Sequence, residues 1–249
     1  MDRKHFLKLL LAGGGATFLG LGGGTVARAA EKRGPVCPWG RLKFMCASNN
    51  DDDWNVHPHG DINLIDHITE KTTLNLDHNW NVAHINQLED MTRYPFLFMH
   101  SELPPELDAA ARANLREYFL RGGFLFAEDC VMGKGRAGHS YTNDKFFKRM
   151  VDELPLILPE AKFERLPFDH PVFHSFFDIN GGIPHMQGTP HGLYGLTLNG
   201  RLVALVSPSD THCGWTGGTK WFGAAKAAAA LQMGTNIYLY AMTQGVKGA

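Results

Sequence analysis

Apolar runs broken by glycine, proline and acid–amide clusters divide the chain into alternating strands and helices. Residues 94–99 (Tyr-Pro-Phe-Leu-Phe-Met) and 124–127 (Phe-Leu-Phe-Ala) are almost without polar positions. A strand shielded on both faces has this pattern, as in a parallel sheet. Between them, Pro105 is predicted to open a helix with Leu107, Ala111, Leu115, Tyr118 and Phe119 at helical spacing. Gly122 and Gly123 end it, because glycine accepts a left-handed turn without steric cost. Strand, helix, strand in this order predicts a right-handed βαβ unit.

Residues 41–47 predict an earlier strand, residues 61–71 a helix capped by Asp61, and residues 73–76 a second strand. Residues 143–154 are amphipathic, with Phe147, Met150, Val151 and Leu154 as the stripe. Residues 163–166 form a further strand. Residues 168–192 read as irregular and hold His170, His174, His185 and His191. Residues 195–206 predict two strands joined at Asn199–Gly200, a strong hairpin signal. Residues 221–244 predict one closing helix, weakened at Gly234. The sum is a three-layer α/β domain: a mainly parallel sheet, helices on both faces and an antiparallel hairpin at one edge. No linker interrupts residues 30–249, which reads as one domain.

The first 29 residues have a different pattern. Arg3-Lys4-His5-Phe6-Leu7-Lys8 resembles a twin-arginine export motif with lysine in the second place, and Ala27-Arg28-Ala29 suits a signal peptidase. The rival reading is a membrane anchor, which needs about 20 apolar residues. Residues 9–26 approach that length, but seven glycines loosen the stretch. A cleaved signal predicts a periplasmic or otherwise exported protein that engages the export machinery and has no membrane span after cleavage.

The formal net charge of the chain is −1, and the basic residues of the signal leave the remainder more acidic. An acidic chain with no basic run is a poor nucleic-acid ligand. Four cysteines permit two disulfides in an exported protein, or simple burial. Thirteen histidines raise the prospect of a divalent metal without locating it.

Several pieces in order resemble one family: Asp53-Trp54, Tyr94-Pro95-Phe96-Leu97-Phe98, Leu115-Arg116-Glu117-Tyr118-Phe119 with Gly122-Gly123-Phe124-Leu125-Phe126, Asp169-His170-Pro171, Gly200-Arg201-Leu202 with Ser207 and Asp210, and Gly234-Thr235-Asn236-Ile237. They are similar to the domain-of-unknown-function 4159 family, over about residues 41–243. That resemblance implies a class I glutamine-amidotransferase-like fold, as in trehalose-utilisation-type domains. It implies fold rather than activity.

Ligands of open parallel sheets bind beyond the carboxyl ends of the strands. That rule selects Asn49 to Asp53 with Trp54, then His100, Ser101 and Glu102, then Glu128, Asp129 and Cys130, then Asp169 and His170, and finally Ser207, Ser209, Asp210, His212 and Cys213. Asp210 and His212 rank lower, since the hairpin strand they follow can run against the others. Three chemistries are open. Cys130 could be a nucleophile with His170 as its base, held by Asp169. Its flanks Asp129 and Val131 suit a tight nucleophile turn poorly, and the acids Glu128 and Asp129 disfavour a thiolate. A divalent metal could be held by His57, His59, His170 or His212, although no metal motif has strong spacing. Asp53, Trp54, His100, Glu102, Asp129 and Asp210 could bind a small polar ligand, with Trp54, Trp80, Trp215 and Trp221 either stacking on it or filling the core. The expectation is a small polar ligand or metal at the strand rim without amidotransferase chemistry. The alternatives are a metal-assisted hydrolase and a non-catalytic subunit of an envelope complex.

Overall fold

A computed structural model of the chain describes residues 34, 36–48, 50–131 and 144–244. The proposed signal, residues 1–29, lies outside the described residues, as does Asn49. The strands are β1 (Gly40–Lys43), β2 (Met45–Cys46), β3 (Asn81–His84), β4 (Phe96–Ser101), β5 (Pro105–Glu106), β6 (Phe124–Asp129), β7 (Lys162–Arg165), β8 (Tyr194–Leu198) and β9 (Arg201–Ser207). The helices are α1 (His59–Lys71), α2 (Leu88–Met91), α3 (Ala109–Leu120), α4 (Lys145–Ile157), α5 (Thr211–Phe222) and α6 (Ala224–Thr243).

Seven strands form the main sheet in the order β3-β1-β4-β6-β9-β8-β7. The first five are mutually parallel, and β8 runs against both of its neighbours. Side chains of a strand alternate between faces, so each apolar run supplies two cores. Phe96, Phe98, Phe124, Phe126 and Leu205 pack with Leu64, Ile65, Trp215, Met233 and Ile237 of α1, α5 and α6. Leu97, Met99, Leu125, Ala127 and Val206 pack with Leu115, Phe119, Phe147 and Met150 of α3 and α4. This is the expected three-layer α/β arrangement, with the antiparallel strands at one edge.

Several local expectations are corrected. The strand expected over residues 41–47 leaves the sheet after Lys43, and Met45–Cys46 pairs antiparallel with Pro105–Glu106. Pro105 therefore sits in a strand. The helix begins later, capped by Asp108, whose carboxylate accepts from Ala111 N at 2.7 Å. Residues 73–76 contribute only the Leu76 bridge to Cys37. The second strand is β3, because β1 starts pairing only at Gly40, opposite Asn81. Residues 221–244 are not one helix; α5 ends at Gly223 (φ 84°) and α6 starts afresh. Gly234 lets helices approach, since a Cβ there would lie 2.8 Å from Leu64 and 2.9 Å from Trp215. Asp61 does not cap α1. Its carboxylate turns inward, and Pro58 holds the cap position. All four cysteines are buried thiols, with no disulfide among the described residues.

Candidate functional site

Register sets the floor of the site. His100 lies opposite Glu128, and Glu128 opposite Ser207, at the carboxyl ends of β4, β6 and β9. All three share the face of Phe98 and Phe126 by strand alternation. Glu128 has one dominant task. Its Oε1 accepts from Ser207 Oγ (3.0 Å) and Thr211 N (2.9 Å), and its Oε2 from His212 N (2.8 Å). The carboxylate thus satisfies the first amides of α5, whose own cap residue Asp210 is left-handed (φ 55°) and makes no side-chain cap bond. Burial lifts the Glu128 carboxyl to about 7, with these donors opposing the rise.

Beside it, Asp61 accepts from Trp39 Nε1 (2.9 Å) and Arg41 Nη1 (2.9 Å), and its Oδ1 lies 3.0 Å from His212 Nε2. Gly60 permits this approach of α1 to α5; a Cβ there would lie 2.7 Å from His212 Nε2. His100 Nδ1 meets the Glu128 carbonyl at 3.0 Å, and the two imidazole centroids stand 4.2 Å apart. Burial holds both imidazoles well below the usual histidine range, helped for His100 by His212 and for His212 by Arg41. Both rings are neutral in the folded state. His100 then donates through Nδ1 and His212 through Nε2. The remaining nitrogens, Nε2 of His100 and Nδ1 of His212, have no hydrogen-bond partner.

A second layer lies outside this floor. Cys130 follows β6, its amide donating to Ser101 O at 3.0 Å, and its sulfur stands 4.0 Å from that of Cys213 in the first turn of α5. The Cys130 sulfur, the Cys213 sulfur and an Asp210 carboxylate oxygen lie within 4.8 Å of one another. Gln187 Nε2 donates to both Asp210 Oδ2 and Val131 O. Gly188 (φ 85°) packs against Val131 and Asp144, and a Cβ there would lie 3.2 Å from Asp144 Oδ1. Asp144 Oδ2 holds His191 Nε2 at 2.9 Å, and His191 stacks on Phe147. Asp129 faces the α4 side, accepting from Phe147 N at 2.8 Å. Its carboxyl is raised to about 7 by burial, with Asp144 and Glu128 adding to the rise.

The thiols differ. Cys130 is pushed well above its ordinary value by the Cys213 contact and by burial, while the same contact draws Cys213 down. Burial, with Cys213 beside it, drives the Asp210 carboxyl well up. Asp210 Oδ1, Ser209 Oγ, Asp144 Oδ1 and His185 Nδ1 are buried atoms without a hydrogen-bond partner.

The strand-end rule brings together His100, Asp129, Cys130, Asp210, His212 and Cys213. Asp210 and His212 belong fully to the rim, because β9 runs parallel to β6. Glu102 is a minor negative neighbour of both thiols: the Cys213 contact and burial dominate the rise at Cys130, and the Cys130 contact outweighs it at Cys213, which is drawn down. Asp53 borders the rim through its carbonyl, which accepts from Ser101 Oγ at 2.9 Å. Trp54 is buried, packed edge-on against Trp80 and beneath the Lys43 ammonium. His57 and His59 stand at the outer edge, with ring centroids 6.1 Å apart and His57 near Trp221.

Asp169 and His170 are elsewhere. The chain turns back after Leu166, and Asp169 lines a cavity of about 690 Å³ with Asn199, Gly200, Arg201 and Tyr240 at the start of β9. His170 packs on Tyr240, at the opposite end of the sheet from Cys130. Arg41, Asp144, Gln187 and His191 are not selected from the sequence, whereas Asp61 is singled out there as the cap of a helix.

The family model described as Domain of unknown function (DUF4159) matches residues 42–242. The chain belongs to that family. No curated protein matches it.

Proposed function

We propose that the protein binds a small polar ligand or a metal ion at the carboxyl rim of its sheet, without amidotransferase chemistry. One observation carries this reading: Asp210 Oδ1, Ser209 Oγ, Asp144 Oδ1 and His185 Nδ1 are buried and unpartnered along one connected stretch of rim. The Ser209 carbonyl accepts from Met186 N (2.9 Å), Gln187 reaches Asp210, and His185 reaches the Gly188 carbonyl (3.0 Å). An unsatisfied buried polar atom costs about 1–3 kcal/mol. A group of them on one wall is accounted for by a guest that supplies the missing partners.

Amidotransferase chemistry needs a thiolate activated by an imidazole. The Cys130 thiol is buried and faces Cys213, and no imidazole is hydrogen-bonded to either sulfur among the described residues. His170 is at the far end of the sheet. The amidotransferase-like topology implied by resemblance therefore serves here as a scaffold.

We also infer export. The basic start, glycine-loosened apolar segment and Ala27-Arg28-Ala29 site support it, and no helix among the described residues is long and apolar enough to cross a membrane. Cell fractionation of the full chain tests this, with soluble periplasmic protein starting at residue 30 as the expected result.

The test of the rim is a thermal-shift panel of sugars, polyols and small carboxylic acids on chelator-treated protein, followed by divalent ions. A ligand at a hundred times its Kd stabilises by about 2.7 kcal/mol, a midpoint rise of roughly 5–10 °C at this size. Asp144→Asn and Ser209→Ala should reduce the shift. A panel with no response to any organic ligand or ion would end this reading.

A further inference from the structure

We propose that Cys130, Cys213 and Asp210 form a binding site for a thiophilic divalent ion, zinc in the first instance, with its fourth position left to water or a small ligand. This rests on the rim being a binding site and names what it binds. The residues differ from the histidines that the sequence suggests as metal ligands.

The geometry fits an ion between the sulfurs better than a bond between them. Zinc holds thiolate sulfur at about 2.3 Å, so two sulfurs on one tetrahedral ion stand roughly 3.8 Å apart. The observed separation is 4.0 Å. A disulfide needs about 2.05 Å. The third donor is in place, since the Asp210 carboxylate lies within 4.8 Å of both sulfurs. Its Oδ1 is buried without a partner, while Oδ2 is held by Gln187. A ligating carboxylate oriented through its second oxygen is the usual outer-shell arrangement.

Local sequence and fold explain how the three donors meet. Asp210 and Cys213 are separated by one helical turn at the start of α5, so their side chains can share a face. The left-handed backbone at Asp210 turns the chain into that helix. Cys130 is anchored from the other side, through its amide to Ser101 O on β4. Glu128 occupies the first amides of α5, so the helix terminus does not itself require an anion at the site.

Thiolate and carboxylate groups ligate a metal in their ionised forms. Binding converts two thiols to thiolates and ionises Asp210, releasing their protons to solvent, so affinity falls as pH falls. The ion changes no oxidation state and needs no co-reactant.

The experiment uses the whole chain, purified without an affinity tag under reducing conditions, stripped with chelator and titrated with zinc. Elemental analysis should give one zinc per chain. Cobalt in its place should show thiolate-to-metal charge-transfer absorption. Cys130→Ser and Cys213→Ser should each lose the band and lower zinc affinity at least a hundredfold, and Asp210→Asn should lower it about tenfold. Circular dichroism of the stripped variants checks that they fold; if a serine variant does not, the Asp210→Asn titration and the cobalt band of the wild type still decide. Three results overturn the proposal: less than one-fifth equivalent of zinc in folded protein, zinc bound equally by the Cys213→Ser variant, or a Cys130–Cys213 disulfide in peptide maps of protein as isolated from cells. If zinc fails while an organic ligand still shifts the melting temperature, the rim reading survives and only the metal assignment falls.

Discussion

The two ends of the sheet treat their polar groups in opposite ways. At the amino end, a cavity of about 690 Å³ is bordered by Arg201, Gln244, Thr243 and Ser175, and these groups are engaged with backbone. Arg201 donates to the carbonyls of Phe119, Gly122 and Gly123. Gln244 pairs with both the amide and the carbonyl of Leu202. Thr243 and Ser175 donate to Leu239 O and Asn236 O. At the carboxyl end, three buried oxygens and one nitrogen on one wall have no partner. Unmet hydrogen bonding singles out the carboxyl end. The amino end is a clasp that fastens α6 and the β9 hairpin to the sheet, and the carboxyl end is where we propose that a guest binds.

Substitution should separate the two. The largest effect is expected from Arg201→Ala, which strips a charged donor from three carbonyls and should cost about 2–3 kcal/mol in urea unfolding while leaving zinc stoichiometry unchanged. Loss of the metal with this variant would erase the distinction between the ends. The next effect is in the pH response. His100 is buried neutral, with its folded pKa held well below the ordinary histidine value of 6.5. Its contribution is therefore present above pH 6.5 and is lost as acid protonates the unfolded chain and not the folded one. One such group gives a slope of at most about 1.4 kcal/mol per pH unit, reached only below pH 6.5. His100→Asn, which can keep a donor towards the Glu128 carbonyl, should flatten that slope even if it lowers stability at pH 7. An unchanged slope would show that the ring is not neutral in the fold. The smallest effect is expected from Ser209→Ala. Removing an unpaired buried hydroxyl should be neutral or stabilising by up to about 1 kcal/mol in the ligand-free protein, whereas a loss above that would mean the hydroxyl has a structural partner.

The sequence made some of this plain and concealed the rest for local reasons. β4, α3, β6 and the β8–β9 hairpin were legible because continuous apolar runs and glycine stops leave few alternatives. β3 was not, since it pairs only with β1 at the sheet edge and carries Asn81 and His84 at its ends. α5 was hidden by its composition. Gly214, Gly217 and Gly218 argue against a helix, and the backbone does depart from helical angles at Gly217. Of the site, the residues directly after strands were found by the strand-end rule alone. Asp169 and His170 were drawn to the wrong end because nothing in their neighbourhood announces that the chain doubles back after Leu166. Arg41 and Asp61 form a buried ion pair from a strand and a helix 20 residues apart. Gln187, Asp144 and His191 come from irregular chain, where no periodicity points.

The arrangement at Glu128 also bears on the order in which the molecule can be made. The helix that carries Asp210, His212 and Cys213 is started by a carboxylate 83 residues earlier, on the central strand β6. A growing polypeptide emerging from the ribosome could wind its last two helices only onto a middle already assembled. Severed from that middle, residues 211–243 would have no side chain to begin them.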